Sequence, residues 1–146
     1  MASKRRAVSI ALLLSAAACG DDSAGPTAGE ITGTWQATQV EFVRVATPAV
    51  SVDLIAAGGS ATLVLASDSN YTYTETPAGE LPQIETGTWE LHGAILTMTP
   101  SDSRFSLQFE VALSGDTLRL SGADVEYDFD GDHVAEPAKL NLVLVR

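Results

Sequence analysis

Cysteine, histidine, basic residues and long apolar runs are all scarce in this chain, and each shortage excludes something. One cysteine, Cys19, in 146 residues rules out an internal disulfide, so a folded domain must rest on its core alone. Only His92 and His133 could serve as an imidazole base. Neither lies near a Gly-x-Ser-x-Gly elbow, and no zinc-ligand spacing occurs. No phosphate-cradling glycine loop precedes a helix. The expectation is a protein that is not an enzyme. Basic residues number 8 against 19 acidic ones. Three of the eight, Lys4, Arg5 and Arg6, precede Cys19, so the rest of the chain carries about −14. No Lys/Arg stripe exists to neutralise phosphates, which argues against nucleic acid and against docking on anionic lipid through basic residues. The longest apolar run, Ala7 to Ala18, falls short of the about 20 residues that a membrane-spanning helix needs. A sustained 3.6-residue period is also missing, so very little helix is predicted.

The N-terminal region reads as an export signal. Lys4, Arg5 and Arg6 make a positive start, and the apolar run to Ala18 fits the short core of a cleaved signal, residues 1–18. Ala16, Ala17 and Ala18 lead directly into Cys19, which resembles a bacterial lipobox, although Ala16 stands where leucine is usual. The resemblance implies cleavage before Cys19 and acylation of its thiol. Two or more chains hold a protein firmly to a membrane. The expected partner is therefore the membrane of a bacterial cell envelope, outer rather than inner, because Gly20 replaces the aspartate of the inner-membrane retention signal. Residues 20–29 are small and polar and read as a flexible tether. From 30 to 146 the composition suits one globular domain.

That domain is written in period two. Phe105, Leu107, Phe109 and Val111 alternate with polar residues, as do Leu118 with Leu120 and Leu140 with Leu142 and Leu144. Alternation places each apolar set on one face of a strand. Short turn signals such as His92-Gly93, Ser114-Gly115-Asp116 and Asp68-Ser69-Asn70 separate the runs. Strands are predicted near 33–45, 61–67, 70–76, 84–91, 94–99, 104–113, 116–127 and 138–146. Between the first two, Pro48 to Gly59 reads as a short strand or a single helical turn. About eight sequential antiparallel strands favour an all-β, up-and-down β-barrel, which leaves no edges. A β-sandwich is the alternative.

The opening Ile31-Thr32-Gly33-Thr34-Trp35 resembles the Gly-x-Trp start of lipocalins and bacterial lipocalin-like domains, and Gly87-Thr88-Trp89 echoes it in mid-domain. The resemblance implies a calycin-type barrel in which Trp35 is a structural plug of the closed end. Arg119 or Arg146 is its candidate cation–π partner. It also implies a small apolar or amphipathic ligand inside. The candidate lining is Leu63, Leu65, Tyr71, Tyr73, Phe105, Leu107, Phe109, Leu118, Leu120, Leu142 and Leu144. Such large side chains would equally build a filled core, giving a structural or protein-interaction lipoprotein.

Asp128, Asp130, Asp132 and Glu136 stand at relative positions 1, 3, 5 and 9, with the Val134 carbonyl at position 7. The spacing resembles Asp-rich calcium loops within β-hairpins, calcium being a hard ion that takes six to eight oxygens. His133 departs from it, standing where glycine is usual. The other reading is a solvated acidic hairpin loop. Calcium is the single candidate cofactor.

Overall fold

The computed structural model describes residues 25–146. The expected signal, Cys19 and the first part of the tether lie outside the described residues. The described chain starts with one helical turn, α1 (Ala28–Ile31). The Glu30 carboxylate accepts hydrogen bonds from the Thr27 amide and hydroxyl, both at 2.7 Å. These bonds close the N-terminus of the turn, and they hold the Glu30 carboxyl below its ordinary range. Residues 25–29 therefore form part of the folded body, where the sequence reading placed tether.

Nine strands follow: β1 (Gly33–Arg44), β2 (Ser51–Asp53), β3 (Ser60–Leu65), β4 (Asn70–Thr76), β5 (Gln83–His92), β6 (Ile95–Pro100), β7 (Leu107–Ser114), β8 (Thr117–Tyr127) and β9 (Glu136–Val145). Each strand from β3 to β8 pairs antiparallel with the next, β1 pairs with β3, and β1 also pairs with β9. That last pairing, from Gln36↔Val145 to Arg44↔Ala138, closes an eight-stranded barrel and excludes the sandwich. The short β2 is an addition, laid on the far end of β1 through Glu41↔Asp53 to Val43↔Ser51. It settles the Pro48–Gly59 segment as a short strand followed by turns.

Period two governs the interior. Along β3 the inward residues are Ala61, Leu63 and Leu65, and along β9 they are Ala138, Leu140, Leu142 and Leu144, all buried. Two bulges shift this parity. One lies between Ala37 and Gln39 on β1 and the other between Leu120 and Ala123 on β8. A bulge adds one unpaired residue and bends the strand. Leu118, Leu120, Ala123 and Val125 can therefore all face inward although their spacing is not uniform. Gly122 takes the positive φ of 84° that the bulge requires.

The two ends of the barrel differ. At one end the connections are tight, at 66–69, 93–94 and 115–116. There Trp35, Ile31, Leu65, Leu118 and Leu144 are fully buried. The Trp35 indole N–H donates to the Ile31 carbonyl at 2.8 Å, so α1 is tied under the barrel. Gly25 lies against the Gly93 carbonyl at this same end. The Arg146 guanidinium sits 4.5 Å from the Trp35 ring centre. Arg146, and not Arg119, is thus the cation–π partner. At the other end the connections are longer, at 77–82, 101–106 and 128–135.

Candidate ligand-binding site at the barrel mouth

The end with the longer loops is open. A cavity of about 490 Å³ enters the barrel there, lined by residues of β1 and β4 to β9. Its apolar wall includes Phe42, Met98, Leu107, Phe109, Leu140 and Leu142. Below it the interior is filled by side chains. The barrel therefore joins the two arrangements open to an eight-stranded wall, a packed half and a half with room.

The predicted lining divides along this boundary. Tyr73, Leu107, Phe109 and Leu142 line the cavity. Leu63, Leu65, Tyr71, Leu118, Leu120 and Leu144 do not; each is at most 2% exposed within the packed core. Phe105 requires a correction. Alternation predicts it on a strand facing inward, but β7 begins at Leu107 and Phe105 lies in the preceding loop, 82% exposed. The Ser103 side chain accepts from the Phe105 amide at 3.1 Å and turns the chain there. Alternation continued one residue pair too far, because Ser-rich turn chemistry stops the ladder.

The sequence reading missed the polar part of the wall. Glu75 and Glu85 continue the inward parity of Tyr71 and Tyr73, with Tyr73 opposite Glu85 across the β4–β5 pair. The Tyr71 hydroxyl donates to Glu85 at 2.6 Å, and the Tyr73 hydroxyl donates to Glu75 at 3.0 Å. Burial, then the bond to Glu85, pushes the Tyr71 hydroxyl well above its usual range; burial and the Glu75 charge do the same to Tyr73. Both phenols therefore stay protonated as donors. Asp102 and Glu126 complete the rim. Four carboxylates and no lysine or arginine line the cavity. Their alternating place beside the tyrosines was a signal available in the sequence.

Beside the cavity, Phe42 and Tyr127 stack with ring centres 4.3 Å apart, and Phe129 meets Tyr127 edge-on at 5.0 Å. Arg44 forms an ion pair with Glu136 and lies 5.8 Å from the Phe129 ring centre. This cation is already neutralised by its partner.

The acidic loop joins β8 to β9. Carboxylate oxygens of Asp128, Asp130 and Asp132 come within 4.8 Å of one another. Glu136 is directed elsewhere, to Arg44 and to the Phe129 amide at 3.1 Å. Val134 is 62% exposed and its amide donates to Asp132. Asp128 accepts from the Gly131 amide at 2.7 Å and the His133 amide at 2.9 Å. Loss of solvent works to raise the Asp128 carboxyl, but these amide bonds outweigh it and the net direction is down. His133 adopts φ 67°, the left-handed conformation that histidine tolerates better than most residues. It thus takes the conformation for which such loops use glycine. His92 is exposed at the β5–β6 turn, at the closed end.

Comparison with known proteins agrees with this geometry. The family model of the lipocalin-like domain matches residues 31–120. No curated protein matches the chain. The match runs from the Ile31 turn through the Trp35 strand to Leu120 on β8, well over half of the sequence, and the chain belongs to the lipocalin-like domain family.

Proposed function

We propose that this protein is a non-catalytic, lipid-anchored carrier that takes a small amphipathic molecule into the mouth of its barrel. The observation that carries the reading is the cavity of about 490 Å³ at the open end, within the roughly 300–1,000 Å³ typical of small-molecule sites. An apolar floor and a few fixed polar groups are the usual composition of such sites. Acylation of Cys19 would fix the anchor six residues before Gly25. Six extended residues reach about 20 Å, and Gly25 lies at the closed end.

The test is binding of N-phenyl-1-naphthylamine, an uncharged probe that brightens in apolar surroundings. Wild-type protein gives a saturable fluorescence gain. Leu107→Trp, which puts bulk into the cavity wall, abolishes the gain while thermal unfolding shows the fold retained. No saturable gain in wild type, or an equal gain in Leu107→Trp, contradicts the carrier reading. Mass spectrometry of the protein from its own cells reads the acyl mass on Cys19 directly.

A second reading concerns the β8–β9 loop. The clustered oxygens of Asp128, Asp130 and Asp132 support calcium binding, with affinity on the order of 10⁻⁴–10⁻³ M as in loosely built extracellular sites. Asp128 already serves backbone amides and Glu136 serves Arg44, so few strong ligands remain. Calorimetric titration with calcium chloride tests it, and Asp130→Asn with Asp132→Asn removes the signal.

A further inference from the structure

We propose that the cavity selects a cation: its ligand is an amphiphile with an amine or ammonium head and an apolar tail. The inference rests on the carrier reading and names the ligand class of that same site. The apolar wall of Met98, Phe109 and Leu142 is the floor for a tail. Above it, every charged side chain in the lining is acidic: Glu75, Glu85, Asp102 and Glu126. The nearby cation Arg44 is held by Glu136 and does not line the cavity. Arg104 is exposed in the 101–106 loop and does not line it either. Among the described residues, the ion pairs involve Glu136, Glu90, Asp124 and Asp116, so none of the four lining carboxylates is countered by a base.

Two of these carboxylates are also fixed in place. The Tyr71 and Tyr73 hydroxyls each donate to one, at 2.6 Å and 3.0 Å. A carboxylate that accepts a hydrogen bond from a phenol keeps further lone pairs for a second donor. An ammonium head supplies such donors together with the missing charge, and low-dielectric walls strengthen the attraction. A carboxylate or phosphate head would meet only like charge, which specificity exploits as repulsion. The exposed Ile84 side chain, 68% accessible and part of the same lining, gives an apolar approach beside the acidic rim.

The experiment is calorimetric titration at pH 7 with three ligands that share one tail: decylamine, decanol and decanoate. The proposal expects decylamine to bind at least about tenfold more tightly than decanol, with decanoate weakest. The preference should shrink severalfold in Glu75→Gln/Glu85→Gln. The rim pair Asp102→Asn/Glu126→Gln should shrink it as well and serves if the first variant fails to fold. Equal affinities for the three ligands, or tightest binding of decanoate, overturn the cation assignment while leaving the cavity as a carrier site. An amine preference unchanged in both variants also overturns it, since the general acidity of the chain would then be its source. If none of the three binds, the carrier reading fails and this inference fails with it.

Discussion

Arg146→Met isolates the cap on the closed end. The Arg146 guanidinium lies 4.5 Å from the Trp35 ring centre, and Trp35 is fully buried. The arginine side chain is 37% exposed, so the contact is partly desolvated. Cation–π contacts run from about 0.5–1 kcal/mol when exposed to about 2 kcal/mol when desolvated, which places this one near 1 kcal/mol. Methionine keeps much of the aliphatic stem and deletes the charge. The competing explanation is the ion pair of Arg146 with Asp116, but its 3.8 Å separation and the 82% exposure of Asp116 leave it under about 0.5 kcal/mol. For a domain of this size, 1 kcal/mol corresponds to about 4 °C in Tm. Thermal unfolding by circular dichroism should show Arg146→Met down by about 4 °C and Asp116→Ala by at most about 2 °C. A wild-type Tm for Arg146→Met, or an Asp116→Ala loss as large, refutes the cation–π cap.

Other perturbations follow from the same geometry. At Gly87 an added Cβ would sit 2.1 Å from the Thr99 carbonyl oxygen and 2.7 Å from the Tyr71 ring; Gly87→Ala should cost about 1–3 kcal/mol by overpacking, read by urea unfolding. Tyr71 and Tyr73 are held above their usual range, so two of the three tyrosines should resist ionisation at pH 11, as seen in absorbance at 295 nm. A folded-state value raised above the unfolded one gives stability that is full below about pH 10 and lost as pH rises through the folded value; alkaline unfolding should therefore release both phenols together. The Asp128 and Glu30 carboxyls are held down, so their contribution is present above about pH 4 and is lost as pH falls through the lower folded values. A Tm flat from pH 7 to about pH 5 and falling below pH 4 is expected, with a shallower fall in Asp128→Asn.

The barrel was legible because burial imposes one rule on every strand: apolar residues at alternate positions, with Gly, Asn or Asp between the runs. Leu63 and Leu65, or Leu142 and Leu144, betray their inward face without reference to any partner. The Gly33-Thr34-Trp35 start carried the family. Three features were harder to see. The β8 bulge at Gly122 resets parity, and only its pairing with β9 reveals that Ala123 and Val125 rejoin the interior. The helical turn at Ala28–Ile31 has too few residues for periodicity; its signal was the Thr27/Glu30 spacing. The division of the lining into packed and open halves depends on barrel depth, which no single strand encodes. Glu75 and Glu85 share the inward parity of Tyr71 and Tyr73, but a rule that equates inward with apolar does not find them. A ligand site is where that rule is expected to break.

The central claim is that the barrel is packed at its Trp35 end and receives its ligand at the other. Methyl-resolved NMR titration of the protein with decylamine tests it most directly. The account predicts saturable shifts for Met98, Leu107, Leu140 and Leu142, with Leu65, Leu118 and Leu144 unmoved. Shifts concentrated on those closed-end leucines, or confined to outward-facing residues such as Val143, would contradict it.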